Sequence, residues 1–181
     1  MYNPFIAYYS KKYPRFKETK NIQVEDFIGT WIQIMYTPNR WQHTSYATAT
    51  YTNDTLQNIE WDYIDGKLVN KNSITGTYVK DNNKNGVYHI KIIKIFKSIY
   101  RILDYNHSEI LGSFLVVSGH TPHYIWVLWK PPKQELTDEN FNKAYLTALD
   151  KIKLLHEIGV RNVIFADQEV LKKIVQKLRN L

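Results

Sequence analysis

Residues 24–34 read VEDFIGTWIQI, and this stretch decides the interpretation of the fold. It places a G-x-W string, Gly29 and Trp31, at the start of the first of seven or eight runs that alternate with period two. The runs cover residues 29–37, 46–52, 56–64, 67–75, 87–95, 99–106, 110–118 and 124–130. Between two of them, Asp65-Gly66 is a strong signal for a two-residue hairpin loop, because both residues tolerate a positive φ. Short sequential strands without intervening helices predict an antiparallel meander that forms a closed barrel or a sandwich.

The period changes after Pro131-Pro132, and the remainder of the chain predicts helices. Thr137 is a suitable N-cap, and apolar residues then recur at helical spacing, so one long helix is predicted over 137–159. A short strand over 163–165 follows, and Asp167 caps a second, amphipathic helix whose polar side is basic. The predicted organisation is an N-terminal extension over 1–21, a barrel with its helix over 22–166, and a C-terminal helix over 167–181 packed on or beside the barrel.

The layout and the local sequence together resemble the lipocalin family, most closely its bacterial lipocalin and apolipoprotein D-like group. Gly29 and Trp31 stand in the positions of the family's G-x-W signature. Residues 124–132, YIWVLWKPP, resemble the last barrel strand, and residues 47–51, ATATY, resemble the second strand. The resemblance covers about residues 22–166. It implies an all-β fold with appended helices: an eight-stranded antiparallel up-and-down β-barrel, one long helix, a short ninth strand and an extra C-terminal helix.

The sequence departs from the family pattern at two places near the closed end of the expected barrel. Lipocalins usually carry an arginine at the end of the last barrel strand, and Lys130 holds that position here. We therefore expect a point charge over the ring of Trp31 in place of a stacked guanidinium. Asp104-Tyr105 keeps only part of a second family motif. Gly29, Trp31 and Lys130 form the expected structural signature.

The resemblance implies a cup that binds and carries a small hydrophobic or amphipathic ligand, of the fatty acid or lysophospholipid class for the bacterial group. Alternation places Ile59, Trp61 and Tyr63 on one face of their strand, and it places Tyr124 and Trp126 on the face that looks inward in the family. Small alanines would provide a floor for an acyl chain. The predicted ligand-binding residues are Met35, Ala47, Ala49, Tyr51, Ile59, Trp61, Tyr63, Tyr124 and Trp126. The alternative is that the interior aromatic residues fill the barrel and leave no cavity.

The composition excludes several kinds of chemistry. The chain has no cysteine, which removes disulfides, thiolate metal sites and cysteine nucleophiles. No phosphate-binding loop, metalloprotease helix or nucleophile elbow occurs, so no cofactor is expected. His120 and His123 lie three positions apart, but loop histidines at a polar mouth explain them as well as a metal does. An enzyme acting on an apolar substrate inside the barrel stays open as an alternative. It would need a buried Asp or His facing Tyr124, whereas Glu60 and Asp62 are predicted to face outward.

The charge of the chain suggests acidic partners. Lys and Arg total 24 against 17 Asp and Glu, a formal net charge of +7. A basic interaction module at an anionic membrane surface or on nucleic acid is therefore a further alternative. Nucleic acid is disfavoured, because the chain has only five arginines and no RNA-binding motif. No signal peptide or transmembrane run is visible, which favours a cytoplasmic location. The sequence leaves the oligomeric state open.

Overall fold

The computed structural model describes residues 19–20, 22–39, 42–92, 96–119 and 124–180. Their strands are β1 (Gly29–Tyr36), β2 (Tyr46–Tyr51), β3 (Thr55–Ile64), β4 (Lys67–Lys80), β5 (Val87–Ile92), β6 (Phe96–Ser108), β7 (Gly112–Ser118), β8 (Ile125–Lys130) and β9 (Ile164–Phe165). Their helices are α1 (Val24–Phe27), α2 (Asp138–Asp150), α3 (Ile152–Glu157) and α4 (Gln168–Arg179).

The strands form one antiparallel sheet that closes on itself. Each of β2 to β7 pairs with the next strand in the chain, β8 pairs with β1, and β1 pairs with β2 to complete an eight-stranded ring. The short β9 adds to the far end of β1, where Met35 lies opposite Phe165. The hairpin between β3 and β4 turns at Asp65 and Gly66, whose φ values of 48° and 78° are both positive. The up-and-down barrel implied by the resemblance is therefore confirmed, together with the helix that follows it and the C-terminal helix.

The closed end of the barrel is built around Trp31. This side chain is fully buried, and its Nε1 donates a hydrogen bond to the carbonyl oxygen of Phe27 at 2.8 Å. Lys130 Nζ lies 4.9 Å from the centroid of the Trp31 ring, and it donates to the carbonyl oxygens of Asp26 at 2.5 Å and Ile28 at 3.0 Å. Burial lowers the pKa of Lys130, and the nearby charge of Asp26 opposes that shift. One lysine thus connects the last barrel strand to α1 across the floor.

Aromatic side chains fill the part of the barrel next to this floor. The ring of Phe27 lies with its centroid 4.1 Å from that of Tyr51, 5.6 Å from that of Tyr78 and 5.1 Å from that of Tyr88. All four side chains are buried. Because these rings occupy the lower interior, any ligand volume has to lie above them, toward the end of the barrel where β1 and β7 end and β2 and β8 begin.

A second apolar cluster lies outside the barrel, beneath the helices. α2 and α4 pack buried side chains against the outer faces of β1 and β8; the cluster includes Ile32, Ile34, Trp129, Phe141, Ala144, Ala148, Val170, Leu171, Ile174 and Val175. Thr137 caps α2 by accepting a hydrogen bond from the backbone N–H of Asn140, and Asp167 caps α4. The apolar side of α4 is therefore covered by the barrel, and a contact of this helix with a membrane would have to use its basic side chains alone.

The helix predicted after the barrel is interrupted at one residue, so that α2 ends at Asp150 and α3 begins at Ile152. Lys151 separates them, and its backbone N–H bonds to the carbonyl of Ala148, three residues earlier. Its ammonium group reaches away from the helix to the carboxylate of Asp104 on β6, at 2.7 Å. This tertiary ion pair lies at the point where the helix is interrupted, and no local sequence pattern reports it.

Candidate ligand-binding cavity

The upper half of the barrel encloses a cavity of about 350 Å³. Its apolar wall includes Ala47, Ala49, Tyr51, Tyr100, Tyr124 and Trp126, and its polar wall includes Gln33, Gln42, Asn58, Glu60, Asn72 and Ser98. This volume falls within the range of about 300 to 1,000 Å³ that is typical of small-molecule sites. The barrel interior is therefore filled near the floor and hollow toward the open end.

Five of the predicted ligand-binding residues line this cavity. Ala47, Ala49 and Tyr51 lie on one face of β2, while Tyr124 precedes β8 and Trp126 lies on it. β2 and β8 flank β1 on its two sides. These five residues therefore lie close to one another on the inner wall of the barrel.

Ile59, Trp61 and Tyr63 do not line the cavity, and the inward orientation predicted for them was wrong. Trp61 Nε1 donates to the hydroxyl of Thr48 at 3.1 Å, and the ammonium of Lys177 on α4 lies 4.9 Å from the centroid of its ring. Tyr63 packs against the cluster beneath the helices. The outer face of β3 carries the aromatic residues because α4 covers that side. Alternation separated the two faces of β3 correctly but could not indicate which one is inside.

Met35 also lies outside the cavity, as a result of a β-bulge. Gln33 is paired with Leu128 and Met35 with Val127, so β1 has one more residue than β8 between these pairs. The extra residue turns Met35 onto the outer face, where it is fully buried in the cluster beneath the helices. Gln33, on the inner side of the bulge, lines the cavity instead.

The reversed face of β3 brings a carboxylate into the wall. Glu60 is only 9% exposed, and its Oε2 accepts a hydrogen bond from the backbone N–H of His43 at 3.3 Å. It lies opposite Ala47 on β2 and Asn72 on β4. The sequence contains one signal for this arrangement, which is a polar residue at each of positions 58, 60 and 62. Alternation alone is also consistent with these polar side chains facing solvent, as predicted for Glu60 and Asp62. Asp62 lies beyond the cavity and pairs with Lys71 at 3.2 Å.

Aromatic rings and amides surround the same end of the cavity. The ring of Trp126 lies with its centroid 5.7 Å from that of Tyr100 and 6.4 Å from that of Tyr124. Its Nε1 donates to Gln42 Oε1 at 3.2 Å. Burial raises the pKa of Tyr100 to about 12, although a hydrogen bond with Asn58 acts in the opposite direction. The Tyr100 phenol is therefore neutral at physiological pH and adds no charge to this part of the wall.

Two further kinds of feature are absent from the described residues. No group of three His, Asp or Glu side chains that could bind a metal occurs among them, and the His120–His123 segment lies outside them. No helix in the described part of the chain is long and apolar enough to cross a membrane. Among the described lining residues, Glu60 and the tyrosines are the only ionisable side chains.

Comparison with solved structures agrees with the fold. Insecticyanin from the tobacco hornworm Manduca sexta matches over 85% of this chain and 85% of its own, with a TM-score of 0.51 and 14% identity. Lobster apocrustacyanin A1 matches over 84% of this chain and 91% of its own, with a TM-score of 0.41 and 13% identity. The cockroach allergen Per a 4 matches over 75% and 83%, with a TM-score of 0.42 and 17% identity. Searches with family models and against curated proteins found no match. At these identities the likeness concerns the fold alone, and the chain has the lipocalin fold.

Proposed function

We propose that this chain is a member of the lipocalin family that binds and carries a small hydrophobic or amphipathic ligand. The observation that carries the proposal is the cavity of about 350 Å³ in the upper barrel, with its aromatic and alanine wall. Transfer of an alkyl chain from water into such a site is favourable by about 0.8 kcal/mol per buried CH₂. Binding of this kind requires no catalytic group, so we propose a carrier and not an enzyme.

We further propose that the ligand belongs to the fatty acid or lysophospholipid class, as the resemblance to the bacterial and apolipoprotein D-like group implies. Ala47 and Ala49 leave room beside β2, and an acyl chain lying there would end against Tyr51, next to the filled floor. The polar lining residues Gln42 and Glu60 lie nearer the open end, where the head group would be placed.

Fluorescence titration tests the position of the ligand. Trp126 and Trp61 are both on barrel strands, but Trp126 lines the cavity and Trp61 lies on the outer surface of the barrel. The two side chains are therefore a matched pair of fluorescent probes. Addition of a lysophospholipid should change the emission of the wild-type protein, and native mass spectrometry should show a one-to-one adduct. The Trp126→Phe variant should lose most of the emission change, whereas the matched Trp61→Phe variant should keep it. Loss in Trp61→Phe alone, or no adduct and no change in the wild type, would overturn the proposal.

A blocking substitution tests the cavity itself. Ala47→Phe introduces a ring into the cavity beside Glu60, and Gln57→Phe introduces the same ring on an exposed outer position of β3. We expect Ala47→Phe to abolish adduct formation while Gln57→Phe leaves it unchanged, with circular dichroism confirming that both variants are folded. Equal binding by the two variants would place the ligand outside the barrel.

A further inference from the structure

The polar end of the cavity contains an ionisable group that an acyl carrier does not need. Glu60 projects from β3 into the wall with 9% of its surface exposed. Within the described residues, the one hydrogen bond of its carboxylate is that from the His43 backbone N–H, made to Oε2. A carboxylate that is removed from water without a partner of opposite charge is costly, so such groups are normally paired.

The described wall supplies no such partner. The other polar side chains that line it include the amides of Gln33, Gln42, Asn58 and Asn72, and no Lys, Arg or His is among the described lining residues. Amides can solvate the carboxylate but cannot neutralise it. Among the described lining residues the one charged side chain is therefore the Glu60 carboxylate, although the chain as a whole has a net charge of +7.

Aromatic faces stand at the same end of the cavity. Gln42 and His43 link the two features, because the side chain of Gln42 accepts from Trp126 Nε1 and the backbone of His43 donates to Glu60. The rings of Tyr124 and Trp126 are nearly parallel, with 14° between their planes. Aromatic faces carry partial negative charge and attract ammonium groups, most strongly where water is excluded.

We propose that this cavity selects amphipathic ligands whose polar end is a cation, an alkylammonium or quaternary ammonium group, with Glu60 as the counter-ion and the aromatic rings beside it. The inference rests on the proposed function, since it names the head group of the ligand in the same cavity. It separates the two ligand classes considered above. A lysophospholipid with a choline head group carries the required cation, whereas a fatty acid places a second carboxylate next to Glu60.

Three probes with the same alkyl chain test the inference on the intact protein: dodecyltrimethylammonium and dodecanoate, each below its micelle concentration, and dodecanol below its solubility limit. We expect the ammonium probe to bind about tenfold more tightly than the alcohol, because Coulombic attraction to Glu60 and a cation–π contact with the rings together contribute on this scale. Dodecanoate should bind more weakly than the alcohol. The net charge of the chain by itself favours the reverse order, so the ranking distinguishes the local carboxylate from general electrostatic attraction.

The Glu60→Gln variant identifies the group responsible. It should lose about tenfold in affinity for the ammonium probe, leave dodecanol unchanged and strengthen dodecanoate. Glu109→Gln is the matched control, because it removes the same charge from an exposed turn at the opposite end of the barrel. If Glu60→Gln does not fold, the ranking of the three probes on the wild-type protein decides. Equal affinities, or dodecanoate as the tightest probe, would overturn the inference and leave the proposed function standing. Binding of none of the three would overturn both.

Discussion

Replacement of Lys130 by methionine should destabilise the closed end of the barrel. The ammonium group donates to the carbonyl oxygens of Asp26 and Ile28 and lies 4.9 Å from the centroid of the Trp31 ring. A hydrogen bond to a charged group contributes about 1.5 to 3 kcal/mol, and a cation–π contact about 0.5 to 1 kcal/mol at a partly exposed site. Because Lys130 is only half buried, screening reduces these contributions, and we expect the free energy of unfolding to fall by about 2 to 3 kcal/mol.

Urea unfolding followed by tryptophan fluorescence measures this change. With a slope of about 2 kcal/mol per M, the midpoint of Lys130→Met should fall by about 1 M or more. Lys130→Arg should stay within about 1 kcal/mol of the wild type, since a guanidinium can stack on the indole and donate to the same carbonyls. Lys133→Met, at an exposed position three residues later, is the control and should change stability by less than about 0.5 kcal/mol. If Lys130→Met unfolds at the same urea concentration as this control, the role given to Lys130 is refuted.

Three further predictions concern titration and capping. Burial raises the pKa of Tyr100 to about 12, so the contribution of the neutral phenol to stability is complete below about pH 10 and is lost as the pH rises toward 12. The Tyr100→Phe variant should therefore lose less free energy of unfolding than the wild type between about pH 9 and about pH 11, and equal losses would contradict this prediction. Burial alone would raise the pKa of Asp104, but hydrogen bonds from Lys151 and Lys20 lower it overall. The contribution of the ionised Asp104 carboxylate to stability is thus present above the usual carboxylate pKa and is lost as the pH falls through the lowered pKa. The Lys151→Met variant should be less stable than the wild type at neutral pH, and this difference should shrink in acid. A difference that does not depend on pH would be evidence against the ion pair. Asp167 accepts hydrogen bonds from two backbone N–H groups at the start of α4, so Asp167→Ala should lower the free energy of unfolding by about 1 kcal/mol. A thermal or urea melt measures this change, and an unchanged melting curve would show that the cap does not contribute to stability.

The elements whose signals are local could be predicted from the sequence. Asp65-Gly66 predicted a two-residue turn because the backbone preference of these residues does not depend on the rest of the fold, and both adopt positive φ in the structure. Thr137 and Asp167 predicted helix starts for the same reason, and both accept backbone hydrogen bonds there. The G-x-W string, taken with the succession of strands, was sufficient to indicate an eight-stranded barrel.

The candidate site could be predicted only in part. The placements of Ala47, Ala49, Tyr51 and Trp126 on the inner face follow from the resemblance of β2 and β8 to known strands. The placement of Trp61 depended on an assumption that apolar residues of a barrel strand face inward. That assumption does not hold where a helix covers the outer face, because the outer face is then also buried.

The sequence by itself determined the order of the elements and, where a strand has no bulge, which of its residues share a face, because side chains alternate with a period set by the backbone. Only the tertiary structure decided which face is inside. The helix α4 covers the outer side of β3, so Trp61 packs outward and Glu60 enters the cavity. The bulge in β1 reverses the face of Met35. Burial depends on segments that are far apart in the chain, and for this reason the position of the Glu60 carboxylate in the cavity wall is visible only in the folded protein.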